Sequence, residues 1–239
     1  MLRLTIPRAM LSRCFGMVGS IVVYSDMIEE RVKEIKQSFR QMMDGAVAQS
    51  MREKGAHYKL NWGATLPRLR EKAEEIKRLP PSGEDGRGLY HLAIALWKED
   101  VRECKILATM LMPAEQMLPE VVDIWMEQMP SQELAEQASF NLFQHLPFAP
   151  QKAYQWMASE KELEQLCGFL VLARLFMNGQ EPNERGINEF LDQAVTALQG
   201  QSLAVRKAAM QSVVRFSALG LVYERMAKSA MKTLHLDFL

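Results

Sequence analysis

The sequence predicts an all-α protein built as a solenoid of stacked helix pairs, on the basis of three observations. From Met27 onward, apolar residues recur at spacings of three and four along almost every segment, which is the pattern of an amphipathic helix. No segment sustains the alternation of apolar and polar residues that a half-buried strand requires. Four helical segments resemble one another and begin 32 to 39 residues apart, a spacing typical of helix-pair repeats.

The composition allows a full hydrophobic core and excludes several other classes of protein. The chain has 239 residues, of which 48% are hydrophobic, so it can bury a large core and disorder is not expected. Lysine plus arginine equals aspartate plus glutamate at 29 each, so only the distribution of charge can indicate a partner. The three cysteines are far apart and lack metal-site spacing, which argues against a disulfide framework or a zinc site and favours a reducing cytoplasm.

The first 25 residues do not follow the helical pattern of the remainder. Arginines precede the apolar stretch CFGMVGSIVVY at 14–24, which superficially resembles an export signal or an anchor. The stretch is shorter than the roughly 20 residues needed to span a bilayer. We therefore predict that residues 1–25 form a non-structural extension and that residues 26–239 form a single repeat domain. A weak export signal is the alternative interpretation.

The first helical elements are separated by clear breaks. The apolar spacing over 27–55 predicts one long helix that ends at Gly55, a residue suited to a helix C-terminus. The next segment contains Gly63 as a turn residue, Thr65 as the N-cap of the following helix and Pro67 in its first turn. A second break at 79–88, LPPSGEDGRG, is the most linker-like stretch in the chain.

Short helices follow from there to the end of the chain. They are separated by breaks near Pro113 and at 129–131, 146–150, 178–183 and 199–202. Four of the helices are copies of one element, beginning at residues 101, 134, 166 and 205. The imperfect period indicates divergent HEAT-like repeats, whose inner helices line a concave surface used for binding.

Several of these segments carry a resemblance to a known family. They are YKLNWGATLPRLREKA at 58–73, LAIALWKEDVRECKILATMLM at 92–112, FNLFQHLPFA at 140–149 and VRKAAMQSVVR at 205–215. In order and spacing they resemble the HEAT-like repeat proteins of the bacterial DNA alkylation repair family, whose studied members include alkylpurine DNA glycosylases. The resemblance covers most of 30–235. It implies a right-handed α-solenoid with a basic concave face that grips duplex DNA, and it does not by itself imply catalysis.

The resemblance also implies where catalytic groups would lie. Active members use an aromatic residue followed four positions later by an aspartate, an arginine in the next repeat and a tryptophan in the last. Aligned by repeat, the first two fall on Gln132 and Glu136, the arginine near Leu166 and the tryptophan near Gln211. Only Glu136 can carry a family role forward, so these departures weigh against glycosylase activity.

Glu136 admits a functional and a structural interpretation. On a helical wheel Leu134, Ala135, Ala138 and Leu142 form one apolar stripe and Glu136 faces the other side, together with Glu133, Gln137, Phe140 and Gln144. A carboxylate there could stabilise positive charge on the deoxyribose as a cationic alkylated purine departs, without a cofactor. Alternatively, Glu136 belongs to an ordinary solvated face, since residues 115–145 contain six acids and no lysine or arginine.

Basic residues flank this acidic block along the chain. Residues 52–78 and 200–239 each carry an excess of four basic residues over acids, which suits sequence-independent contacts to phosphates. Trp62 lies in a loop beside Lys59 and is the tryptophan best suited to stack on a base. The predicted DNA-binding residues are Lys59, Trp62, Arg68, Arg70, Lys207 and Arg215. The alternative is that such lysines and arginines merely solvate their helices.

Two hypotheses of different classes follow. The first is a DNA-binding protein of the alkylation repair family that acts on or senses alkylated purines, with Glu136 as its key carboxylate if it excises bases. The second is a non-catalytic helical scaffold for protein partners or unusual DNA structures. No histidine spacing indicates a metal site and no glycine-rich phosphate loop indicates a nucleotide cofactor. We expect a cytoplasmic protein without a metal, a cofactor or a membrane partner.

Overall fold

A computed structural model describes residues 8–53, 55, 58–80 and 87–232, with only the backbone described for 8–23. Within these residues the chain forms twelve α-helices and two short 3-10 turns, and it contains no strand. One isolated bridge pairs Leu60 with Val101. The predicted all-α class is therefore confirmed.

The helices gather into two compact units. The first comprises residues 1–50 and 59–111, and the second comprises 51–58 and 112–239. The separate status of residues 1–25 stays a prediction, and α1 begins at Arg8. The helices up to the end of the first unit are α1 (Arg8–Gln41), α2 (Gly45–Glu53), α3 (Leu66–Arg78), α4 (Gly88–Lys98) and α5 (Arg102–Leu111).

The core of the first unit forms around α5. This helix packs against α3 and α4, and α4 in turn packs against α1. Nearly every residue of α5 is buried, including two charged ones at its start. The apolar residues Phe39, Leu69, Leu92 and Leu96 are fully buried around it, which accounts for the predicted helical periodicity of these segments.

The prediction of one long helix over 27–55 is wrong, because the helix is interrupted at 42–44. The Asp44 N–H donates to the carbonyl of Trp62 at 2.8 Å, a bond that no straight helix could make. The Asp44 carboxylate then accepts from the Val47 N–H at 3.0 Å, as an N-cap does, and α2 starts at Gly45. The break arises from a contact 18 residues away in sequence, so local periodicity gave no sign of it.

The second unit contains the remaining helices. The five breaks that the sequence predicts here are present, whereas two further breaks, at 158–161 and 218–220, were not predicted. The helices are α6 (Pro119–Glu127), α7 (Gln132–Asn141), α8 (Ala149–Met157), α9 (Glu162–Met177), α10 (Glu184–Gln199), α11 (Leu203–Ser217) and α12 (Leu221–Met231). The four predicted copies correspond to α5, α7, α9 and α11. In the described residues no helix is long and apolar enough to cross a membrane.

Helices of the second unit alternate between two layers. α9 packs against α8, α7 and α11, and α11 packs against α10 and α12. The consecutive helices α8 and α9 thus form one pair and α10 and α11 form another, and α9 lies between α7 and α11. This arrangement is that of stacked helix-pair repeats.

Candidate nucleic-acid interface

Helix α7 presents Glu136 to solvent. The Ser131 side chain accepts from the Leu134 N–H at 3.3 Å and caps the helix at its start. The predicted apolar stripe of α7 is buried, which confirms the helical wheel. Glu136 is exposed, and its carboxylate accepts a hydrogen bond from the Gln132 side chain at 2.7 Å. In the described part of the chain no lysine or arginine pairs with it.

Helices α7 and α9 lie side by side and run in the same direction. The Cys167 thiol contacts the carbonyl of Ala135 at 3.7 Å. Further along both helices, the guanidinium carbon of Arg174 lies 4.6 Å from the centroid of the Phe140 ring. The second contact lies closer to the C-terminus than the first contact in both helices, so the two helices are parallel.

Helices α9 and α11 are parallel for the same reason. Near their N-termini the Ser202 hydroxyl donates to the Glu162 carboxylate at 2.6 Å. Near their C-termini the rings of Phe176 and Phe216 meet edge to face, with centroids 5.5 Å apart. Helices α7, α9 and α11 therefore form one parallel layer in the second unit.

Helix α11 contributes three exposed cations to this layer. Lys207 and Arg215 are exposed, as is Arg206, and the helix contains no acidic residue. In the described residues none of the three cations forms an ion pair. Arg215 also lines a cavity of about 260 Å³ together with Met177 and Glu181, where α9 and α11 end. We give the name layer face to the solvent-accessible side chains Glu136 and Phe140 of α7, Arg174 of α9, and Lys207 and Arg215 of α11.

The acidic block is partly neutralised away from this face. Lys152, buried on α8, forms a 2.5 Å ion pair with Asp123 of α6. A partly buried ion pair is screened less by salt than an exposed one. The negative charge that would oppose a phosphate at the layer face is therefore smaller than the count of acids suggests.

The buried thiol beneath the layer face provides no nucleophile. Burial raises the pKa of Cys167 to about 12, and the charges of Glu164 and Glu136 add to this effect. The thiol is therefore protonated at neutral pH, whereas thiol nucleophiles react as thiolates. Among the described residues, no group of three or more histidine, cysteine, aspartate or glutamate side chains could hold a metal ion.

The other predicted DNA-binding residues belong to the first unit. Lys59, Arg68 and Arg70 are exposed there. Trp62 is only 8% exposed, and its ring packs against Phe39 with centroids 6.1 Å apart. The stacking contact predicted for Trp62 requires an exposed ring face, which this packing removes. Its position in a loop was misleading because the loop itself is anchored in the core.

The sequence prediction missed Phe140 and Arg174. The family pattern placed an aromatic position at Gln132, four residues before the carboxylate, whereas the ring found on this face lies four residues after it. The arginine position fell near Leu166, whereas Arg174 lies two turns further along the same helix. One signal was available, since Phe140 is a large apolar residue on the polar side of the α7 wheel.

Comparisons with known proteins agree with this architecture. A family described as DNA alkylation repair enzyme matches residues 35–215. A solved structure matches this chain with a TM-score of 0.69 and 15% sequence identity. The match covers 84% of this chain and 81% of the chain in that structure. It is described as a new family of proteins related to the HEAT-like repeat DNA glycosylases, with affinity for branched DNA structures. At that identity the likeness establishes a shared fold. No curated protein matches the sequence.

Proposed function

The chain belongs to the DNA alkylation repair enzyme family, and we propose that it binds DNA through the layer face of its second unit. The observation that carries this proposal is the composition of α11. Three exposed cations lie on a helix without a single acid, beside a helix that presents a further arginine. Such cations bind phosphates and contact them independently of base sequence.

The layer separates its charges in a way that suits a nucleic acid. The cations Lys207 and Arg215 lie on α11, while the carboxylate of Glu136 lies on α7, with α9 between them. A phosphate backbone that follows α11 avoids this carboxylate. Sugar and base groups would then reach α9 and α7, where Phe140 and Arg174 offer an apolar ring and a planar cation.

Excision of alkylated purines through Glu136 is the second candidate function. Its support is the exposed carboxylate, which accepts a hydrogen bond from Gln132 and forms no ion pair in the described residues. A carboxylate beside a deoxyribose stabilises the positive charge that develops as a cationic base departs. The reaction is a hydrolysis of the N-glycosidic bond by water, and the groups of this face would act without a cofactor.

One experiment tests both functions. The wild-type protein and its Glu136→Gln variant are incubated with methylated duplex DNA, and released 7-methylguanine and 3-methyladenine are quantified while binding to the same DNA is titrated. Glu120→Gln serves as the control, because Glu120 is an exposed acid on α6, outside the layer face.

Each result decides between the candidates. Release that is lost in Glu136→Gln and retained in Glu120→Gln establishes excision through Glu136. Binding without release establishes a DNA-binding protein that does not excise these bases. Absence of both binding and release overturns the proposal that the layer face binds DNA.

A further inference from the structure

Phe140 and Arg174 form a cation–π contact at the protein surface, which we call the Phe140–Arg174 stack. The Phe140 ring is 39% exposed although phenylalanine is normally buried. The guanidinium carbon of Arg174 lies 4.6 Å from the centroid of this ring, within the range of a cation–π contact. The Arg174 side chain also approaches the Met177 sulfur at 3.9 Å, which restrains the guanidinium further. The result is an exposed ring joined to a restrained planar cation.

Packing beneath the stack holds both side chains in place. Helix α7 is anchored below Phe140 by Ala138 and Leu142, which are both buried. Helix α9 is anchored by the buried residues Ala173 and Leu175, on either side of Arg174 in sequence. The backbones that carry the stack are therefore fixed by the core, and the stack is ready before any ligand arrives.

The chemistry of this stack favours a nucleobase as its ligand. Aromatic rings and arginine guanidinium planes are the two side-chain surfaces on which unpaired bases stack. Binding of a phosphate alone would require only the cation and not the ring. A fully paired duplex offers the stack nothing to bind, because its base faces are covered by their neighbours and only base edges and the backbone are accessible.

We propose that the Phe140–Arg174 stack holds one unpaired nucleobase of DNA, at a bulge, a gap or a branch point. The proposal rests on the proposed function, in which the layer face binds DNA. The cations of α11 bind the flanking backbone, and the stack distinguishes DNA with an accessible base from a continuous duplex. The protein thus selects a structural discontinuity in DNA.

The test compares two labelled DNAs of the same sequence, one fully paired and one with a single-nucleotide bulge, by fluorescence anisotropy at fixed salt. Stacking of a base on an aromatic side chain contributes enough binding free energy for about a tenfold preference for the bulged DNA. A 2-aminopurine placed in the bulge reports the stack directly, since its fluorescence changes when the base stacks on the protein.

Two conservative variants isolate the stack. Phe140→Leu keeps an apolar side chain and removes the ring, and Arg174→Lys keeps the charge and removes the plane. We expect both to lose the preference for bulged DNA and the 2-aminopurine response, because each weakens binding to the bulged DNA more than binding to the paired DNA. Lys207→Gln should instead weaken binding to both DNAs by a similar factor, because it removes a phosphate contact.

The outcomes separate this inference from the function on which it rests. Equal wild-type affinity for paired and bulged DNA overturns the stacking proposal and leaves DNA binding intact. A preference that survives in Phe140→Leu overturns it as well. If the wild-type protein binds neither DNA, the proposed function fails and the stacking proposal fails with it. Far-ultraviolet circular dichroism and the melting temperature of each variant establish that it is folded.

Discussion

The carboxylate of Glu103 accepts a hydrogen bond from the backbone N–H of Gly63 at 3.0 Å, in the interior of the first unit. The same carboxylate accepts from the N–H groups of Trp62 and Ala64 and from the side chain of Arg102. Glu103 and Arg102 are both fully buried. A buried charge is tolerated only when it is paired and hydrogen-bonded, and here the loop backbone supplies most of the donors. The contact therefore fastens the loop that contains Lys59 to α5.

We expect removal of this carboxylate to destabilise the protein severely. Glu103→Ala removes the ion pair of the buried Arg102 and removes the carboxylate that accepts from the N–H groups of Trp62, Gly63 and Ala64. The expected loss is about 3–5 kcal/mol of unfolding free energy, measured by urea denaturation. Glu99→Ala is the matched control, since Glu99 forms a half-exposed ion pair with Lys36 and should cost no more than about 1 kcal/mol. Similar losses from both variants would contradict the role assigned to Glu103.

A glycine in α9 allows two helices of the second unit to approach closely. A Cβ atom at Gly168 would lie 2.8 Å from the carbonyl oxygen of Ala153 and would also meet the Met157 backbone. Backbone atoms of α8 cannot move aside without shifting the helix. We expect Gly168→Ala to lower the unfolding free energy by about 1–3 kcal/mol, despite the better helix propensity of alanine.

Gly45 provides the control for this prediction. No atom lies within 4 Å of a Cβ built at Gly45, so Gly45→Ala should leave stability unchanged or raise it slightly. The comparison is made by thermal and urea unfolding of both variants. A Gly168→Ala protein as stable as the wild type would mean that α8 and α9 can separate without cost.

Stability should decline at alkaline pH because of the buried Cys167 thiol. Burial raises the pKa of the Cys167 thiol in the folded protein to about 12, above the ordinary thiol pKa of 9.0 that applies to the unfolded chain. The contribution of the Cys167 thiol to the unfolding free energy is therefore fully present below pH 9, and it is lost as the pH rises from 9 toward 12. At one pH unit above the pKa of the unfolded chain, ionisation of this thiol lowers the unfolding free energy by about 1.4 kcal/mol.

The contribution of Cys167 can be isolated by substitution. Urea unfolding of the wild type and of Cys167→Ala is compared at pH 7 and pH 10. We expect the difference between the two pH values to be smaller in Cys167→Ala by about 1.4 kcal/mol. An identical pH dependence in the two proteins would argue that the thiol ionises in the folded state as readily as in the unfolded chain.

Lys207 and Arg215 should each account for part of the salt dependence of DNA binding. A cation that neutralises one phosphate contributes about 0.9 to the slope of log affinity against log salt concentration. We expect Lys207→Gln and Arg215→Gln each to reduce the magnitude of the slope by about one, measured by anisotropy across a salt series. Arg185→Gln is the control, because Arg185 is exposed on α10, outside the layer face. A slope unchanged in both α11 variants would remove these residues from the interface.

Local sequence patterns were sufficient to predict the helical class, most helix boundaries and the buried stripe of α7. These features depend on interactions between residues three and four apart, which periodicity and turn residues record directly. The four repeated helices were recognisable for the same reason, since each buries a similar face. Glu136 was correctly placed on the exposed side of its helix by this reasoning.

Tertiary contacts decided the features that the sequence did not predict. The break at 42–44 depends on the bond between Asp44 and Trp62, and the burial of Trp62 depends on Phe39 and the Glu103 carboxylate. The pairing of Phe140 with Arg174 joins residues of two different helices. The sequence by itself determined which residues form helices and which side of each helix is buried. Only the packing of helices against one another decided which exposed side chains meet, because contacts between residues distant in the chain leave no periodic signal.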